Sequence, residues 1–423
     1  MKLFGRNNKN EEKEDSNQKS KENLTNSGED IEKNEYTQTL KKIGKDMSKT
    51  IKLDLSKIKE AQTARIMGDK TQRIGESKES TIVQEFWNYY QQFSSDNLPS
   101  EDEYYGGEEA EMKISVLINL FEALYLEEIY PNSFPVPIIQ ESFVREKNPT
   151  KIFIVGDTHG CFIDTVKLIQ FFKEEIEKGK RHNYKVKVIF IGDFVDRGHR
   201  DIHNLLYIMA FNLKYRKNVL LLRGNHEEIS ICAHYGFGQR VMKYFSQMTF
   251  ASFTYMFKDL PLISHYHCEN GNIMCLHGGV PIILEDENDY SNYKIPQLNI
   301  HKFNNRKIYL EKMDDVSQQI LWNDPILKYD SNFHEKFFPN KRGVGFTFGK
   351  EIYKEFCEKN HVDLLFRGHQ VFSEGYHKHF EGKYVTLFSA SDYVNMKIAS
   401  RFAEVSSDDI ENYKIHQIQE LSG

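Results

Sequence analysis

Cysteine and long apolar runs are scarce in this 423-residue chain, and each shortage closes off a reading. The five cysteines, Cys161, Cys232, Cys268, Cys275 and Cys357, are odd in number and form no C-x-x-C pair. That excludes a disulfide framework and a zinc ribbon and favours a reducing compartment. No stretch reaches the roughly 18 to 20 apolar residues needed to span a bilayer. The opening Met1-Lys2-Leu3-Phe4-Gly5-Arg6 lacks both the apolar core of a secretory signal and the glycine that myristoylation requires. An intracellular, cytoplasmic protein without a transmembrane segment is expected. Excess positive charge is also missing: the formal net charge is -6, so nothing global points to nucleic acid.

Apolar residues are nearly absent from residues 1–35, which are almost wholly Lys, Glu, Asp, Asn, Ser and Gln. Such a composition cannot offset the entropy of ordering, and a disordered tail is expected there. Residues 36–80 carry a weak helical spacing, Leu40, Ile43, Met47, Ile51 and Ile58, among many lysines. They read as a basic linker, partly helical, and less readily as an amphipathic helix for an anionic membrane or an acidic partner. From residue 81 the pattern strengthens. Ile82, Val83, Phe86, Trp87, Tyr90 and Phe93 form one helical stripe, and Ile114, Leu117, Ile118, Phe121, Leu124 and Tyr125 form another. These predict the first helices of a large domain, since so short a pair buries too little surface to stand alone.

Apolar runs of three or four residues then recur, each leading into glycine beside a polar donor. Ile152–Val155 leads to Gly156-Asp157-Thr158-His159-Gly160, and Val188–Ile191 to Gly192-Asp193-Phe194-Val195-Asp196-Arg197-Gly198. Val219–Leu222 leads to Arg223-Gly224-Asn225-His226-Glu227, Ile273–Leu276 to His277-Gly278-Gly279, and Leu364–Phe366 to Arg367-Gly368-His369. Short unalternating runs suit strands covered on both faces, and ligands gather beyond the carboxyl ends of such strands. Helices predicted over 164–178, ended by Gly179, and over 201–215 complete a βαβαβ unit. A further aromatic-rich helical stretch is expected over 239–258.

The donors offered at these strand ends are Asp157, His159, Asp193, Asn225, His277 and His369. A single Asp or His at a strand end is more often a local cap, but six in one pattern outweigh that reading. Oxygen and imidazole without thiolate suit Mn, Fe or Zn, and six donors exceed one tetrahedral zinc, so two divalent ions are expected. Either aspartate could bridge them.

The three glycine-flanked motifs, in this order and each after a strand, resemble the signature motifs of the phosphoprotein phosphatase family of metallophosphoesterases. The likeness continues through Tyr235-Gly236-Phe237, Leu321–Pro325, Arg342–Gly349, Arg367–Gln370 and Leu387–Tyr393, segments that resemble the eukaryotic-type serine/threonine phosphatases. What the resemblance implies is an α/β metallophosphoesterase sandwich of mixed β-sheets flanked by helices, a catalytic domain over 81–407 with its signature region at 150–395, and a C-terminal tail over 408–423. It implies one metal held by Asp157, His159 and Asp193, and a second by Asp193, Asn225, His277 and His369. A hydroxide shared by the two ions would attack phosphoserine or phosphothreonine directly. His226 would protonate the leaving alkoxide, with Asp196 orienting it and favouring its protonated form. Arg197, Arg342 and Tyr393 would hold the phosphate. Phosphoprotein substrates are the expected partners, and a regulatory subunit stays open.

After Tyr393 the chain reads Val394-Asn395-Met396-Lys397-Ile398, where the family usually has cysteine, glycine and acidic residues, so substrate preference and toxin sensitivity are not carried over. Two other readings remain at this stage: a phosphoesterase acting on a nucleotide or other small ester, and a catalytically silent scaffold. Cys161, beside the first motif, reads as a small buried side chain.

Overall fold

The computed structural model describes residues 76–126, 136–137, 139–143, 149–286, 289–298, 302–303, 313–327 and 336–421. The expected tail over 1–35, and the basic linker apart from 76–80, lie outside the described residues.

In chain order the principal helices are α1 (Glu76–Gln91), α2 (Ala110–Phe121), α3 (Phe162–His182), α4 (Asp201–Lys214), α5 (Phe237–Tyr244), α6 (Gln247–Lys258), α7 (Asp315–Trp322) and α8 (Lys350–Asn360). The strands of the two large sheets are β1 (Ile139–Phe143), β2 (Thr150–Val155), β3 (Lys185–Phe190), β4 (Val219–Leu221), β5 (Ile263–Cys268), β6 (Gly271–Leu276), β7 (Leu364–Arg367), β8 (Tyr376–His379), β9 (Tyr384–Leu387), β10 (Arg401–Ser406) and β11 (Asp409–Gln417). One sheet runs β11-β10-β2-β3-β4 and the other β8-β9-β7-β6-β5-β1. Both are mixed. β2, β3 and β4 are parallel, as are β6, β7 and β9, while β10 pairs antiparallel with β2 and β11 with β10 in the first sheet, and β5 pairs antiparallel with β6 and β8 with β9 in the second.

The sheets face each other. Ile152, Ile154 and Ile189 from one share a buried cluster with Ile273, Cys275, Phe366 and Val385 from the other. The outer faces are covered as well. Phe153 meets Phe171 and Phe172 of α3, and Met274, Leu276 and Leu365 pack with Ile320, Leu321, Ile352 and Phe356 of α7 and α8. Burial on both faces is why these strands read as unbroken apolar runs. α1 lies on α4, with the Trp87 and Phe211 rings stacked at 6.1 Å and those of Tyr90 and Tyr207 at 5.2 Å.

Several boundaries differ from the sequence reading. α3 continues through Gly179 to His182 and ends where Asn183 turns left-handed at φ 57 and donates to the Gly179 carbonyl. Gly179 serves a close approach instead: a Cβ there would sit 2.7 Å from the Tyr184 carbonyl oxygen. The stretch over 239–258 is two helices, broken where Ser246 is extended and its hydroxyl accepts from the Thr249 N–H. Residues 409–417, read as part of a C-terminal tail, form the edge strand β11, held by antiparallel pairing to β10 and by Ile410 in the inter-sheet core. Among the described residues no helix is long and apolar enough to cross a membrane.

Candidate active site

The carboxyl ends of β2, β3, β4, β6 and β7 meet at one edge of the sandwich, and a single parallel bridge between Asp157 and Phe388 ties the two sheets there. The loops that leave these strands are tightly wound. His159, Asp193, Asp196, Arg197 and His369 all have positive φ, a conformation that costs a side-chain-bearing residue roughly 1–2 kcal/mol. Backbone hydrogen bonds hold the loops against that strain: Thr158 and His159 both donate to the Asp193 carbonyl, and Gly368 donates to that of His277.

Asp193 lies at the centre, buried to 1% exposure. Its Oδ2 is 3.3 Å from His159 Nε2 and its Oδ1 is 3.4 Å from His277 Nε2, so each oxygen serves one side of the site. His159 Nδ1 lies 3.0 Å from the Val195 carbonyl and His277 Nδ1 2.9 Å from that of Ile191. Donating there fixes the tautomer and leaves each Nε2 lone pair turned inward, the arrangement of metal-bound histidines. Asn225 Oδ1 stands 2.9 Å from His277 Nε2 and 2.8 Å from His369 Nδ1, while His369 Nε2 is buried with no hydrogen-bond partner. Asp157 is placed differently from its expected companions: its carboxylate accepts the His369 N–H at 2.9 and 3.0 Å and lies 3.9 Å from His277 Nδ1. The donor atoms of His159, Asp193 and His226 lie within 4.8 Å of one another, as do those of Asp193, His277 and His369.

These residues fit divalent cations. Burial alone would lower the pKa of His277, and the Asp193 carboxylate overrides burial to bring it up to about 9. Burial pushes Asp157 up to about 6, with the Asp193 charge adding to it and His277 opposing. Burial would raise Asp193 too, yet His277 and His226 hold it well below the usual carboxylate range. A buried anion surrounded by inward-facing imidazoles is the environment a cation completes.

Beside this cluster, His226 Nδ1 is 2.6 Å from Asp196 Oδ2, and Asp196 Oδ1 accepts the Phe237 N–H at 2.9 Å. Burial holds His226 below its ordinary pKa, with Asp193 and Asp196 working against it, so Asp196 favours the protonated form without prevailing. Arg197 stacks on Tyr235 at 4.2 Å, and its Nε is buried without a partner. Arg342 is steered by Asp324, whose Oδ2 accepts from its Nε at 2.8 Å, and reaches toward the His369 carbonyl at 3.4 Å. The Tyr393 ring lies 5.0 Å from that of His159. Cys161 is buried, its thiol 3.2 Å from Asp164 and pushed up to about 12 by burial, which suits a packing role.

Three supporting residues escaped the sequence reading. The Glu227 carboxylate accepts from the N–H groups of Asp193 at 2.7 Å, Phe194 at 2.8 Å and Gly224 at 2.8 Å. Asn204, on α4, donates to the Thr158 hydroxyl and the Phe194 carbonyl. Asp324 joins Arg342 to the fully buried Arg367. Glu227 stands inside the third motif, and a carboxylate there was a visible signal. Asp324 likewise stands inside the Leu321–Pro325 segment, whereas Asn204 carries no local signature.

A family model described as calcineurin-like phosphoesterase matches residues 150–372. Among solved structures, the Saccharomyces cerevisiae protein serine/threonine phosphatase with similarity to human phosphatase PP5 is 26% identical over 72% of this chain and 89% of that chain, with a TM-score of 0.55. The cold-active protein-tyrosine phosphatase of a psychrophilic Shewanella is 15% identical over 66% of this chain and 82% of its own, with a TM-score of 0.40. The Candida albicans 5'-nucleotidase reaches 12% over 66% and 55%, with a TM-score of 0.27, and neither of these two distant likenesses bears on substrate. With the family match spanning more than half of the chain and a buried Asp/His/Asn cluster at its strand ends, this protein belongs to the calcineurin-like phosphoesterases, metal-dependent hydrolases of phosphate esters.

Proposed function

We propose that the chain is a protein serine/threonine phosphatase that works with two divalent ions of the Mn, Fe or Zn class. Asp157, His159 and Asp193 would hold one ion and Asp193, Asn225, His277 and His369 the other. Such a pair supplies an activated water and polarises the phosphoryl oxygens. Arg197 and Arg342 would fork onto the remaining phosphoryl oxygens, with Tyr393 closing the side next to His159.

The observation that carries the reading is the His226–Asp196 pair beside Asp193. An alkoxide is a poor leaving group and needs a proton, whereas better leaving groups do not, so a buried acid at this place suits alkyl phosphate esters, serine and threonine among them, and the choice of a protein over a nucleotide rests on the segments below. With Nδ1 tied to Asp196, His226 presents Nε2 as the atom that gives the proton. A phosphate dianion arriving there adds negative charge in favour of the protonated imidazole. Likeness to the yeast phosphatase and the segment Arg342–Gly349 support a protein substrate.

The test is manganese-dependent hydrolysis of a phosphothreonine peptide beside a nucleoside monophosphate, by wild type, His226→Asn and Asp193→Asn. The reading expects peptide turnover by the wild type and a loss of about a hundredfold or more in His226→Asn. Asp193→Asn should lose bound manganese. Nucleotide turnover without peptide turnover would replace the reading with a small-ester phosphoesterase, and turnover of neither with manganese bound would leave a scaffold.

A further inference from the structure

Asp196 holds the acid His226 from a backbone position that resists it, since Asp196 is a non-glycine residue at φ 69. Something must hold that backbone, and the structure shows what does. The Asp196 N–H donates to Asp201 Oδ2 at 3.0 Å. Asp201, in the first turn of α4 and fully buried, is in turn gripped by Arg240 of α5 through Nε to Oδ1 at 2.7 Å and Nη2 to Oδ2. The Arg240 side chain is 17% exposed, and the same helix begins with the Phe237 N–H that fixes the second oxygen of Asp196. Backbone and carboxylate of Asp196 are thus both fastened to the α4–α5 corner. A planar guanidinium bound to both carboxylate oxygens fixes direction as well as charge, which lysine cannot do.

We propose that Asp201 and Arg240 are positioning residues for the acid step, setting Asp196 and through it His226 without touching substrate or metal ligands. This rests on His226 being the acid, and the test separates the two ideas by leaving group. In the full chain with manganese, turnover of a phosphothreonine peptide is compared with that of p-nitrophenyl phosphate, whose leaving group departs without a proton. Arg240→Met and Asp201→Asn should lower kcat on the peptide by on the order of tenfold while changing aryl turnover far less, as expected for partial loss of general acid catalysis. Arg240→Lys should fall between them and wild type and carries the comparison if Arg240→Met does not fold.

A merely structural pair would lower both substrates together in folded protein, and that result would overturn the proposal. So would failure of both Arg240 variants to fold, which would place the pair in the stability of the fold alone. If His226→Asn discriminates between the substrates and the Arg240 variants do not, this proposal fails while the acid reading survives. If His226→Asn loses both substrates equally, the acid reading goes, and this proposal with it.

Discussion

Glu227 holds three loop N–H groups with one carboxylate, and it does so 0% exposed, where no water can replace it. Two of those groups belong to Asp193 and Phe194, so the side chain fixes the loop that carries the central carboxylate of the site. Glu227→Gln keeps the shape but turns an amide toward N–H groups that need acceptors. The expected cost is about 1–3 kcal/mol in thermal or denaturant unfolding, the usual penalty of a buried donor left unpaired. Manganese affinity should fall with it, because Asp193 would no longer be held in place. Unchanged stability and metal content would show that the three contacts are incidental. The Glu227 carboxylate is visible inside the third motif, but what it does is not, for a physical reason: its partners are backbone groups, which every residue carries, and two of them lie more than thirty positions away. His159, Asp193 and His277 were legible because their donor chemistry is in the side chain itself. Asp157 was only half legible, since its type suggests a ligand while its neighbours in space, the His369 N–H and His277, could not be read from its motif.

Among the elements, α4 links the site to the rest of the domain. Every residue from Asp201 to Leu213 is buried. Its first turn packs so closely on the first motif that a Cβ at Gly160 would lie 2.7 Å from Asp201 Cβ and 2.8 Å from its Cα. Gly160 also has φ +67, and Gly343, at φ +79 with nothing within 4 Å of a built Cβ, offers a matched control. Gly343→Ala should cost only the left-handed backbone penalty, about 1–2 kcal/mol. Gly160→Ala should cost distinctly more, with a further overpacking penalty of about 1–3 kcal/mol, and should displace His159 and Asp201 together. Equal unfolding free energies for the two variants would mean that the loop gives way without strain. α4 itself was legible because its apolar residues are local and periodic, and the strands because theirs are local and unbroken. β11 was not. It is an edge strand, Asp409–Gln417, with one outer side open, and its polar residues look like those of a tail until the partner strand β10 is known. The break at Ser246 was missed for the opposite reason: apolar residues continue on both sides of it, and only the serine cap marks it.

For the molecule as a whole, buried neutral histidines set a limit on the acid side. His203 is fully buried, bonded to the Ser100 carbonyl and the Tyr90 hydroxyl, and burial lowers its pKa to about 4. Burial likewise brings His265 to about 4, with His267 contributing, and His379 to about 2, with His377 and Arg367 contributing. None of the three is among the proposed metal ligands. An unfolded chain protonates histidine near pH 6.5, while these folded sites do not, so between pH 6.5 and about 4 the unfolded state binds more protons. Stability therefore rises with pH across that window, by up to roughly 1.4 kcal/mol per pH unit for each such histidine, and is lost as pH falls below 6.5. The check is denaturant unfolding of the metal-stripped protein at pH 7.0, 6.0 and 5.0, which keeps metal release from imitating the effect. His203→Gln should lower stability at pH 7.0 yet flatten the fall between pH 6.0 and 5.0, since a residue that cannot titrate cannot contribute to the slope. A slope identical to that of wild type would mean that His203 takes up its proton without unfolding, and that the α1–α4 junction around it opens to water while the domain stays folded.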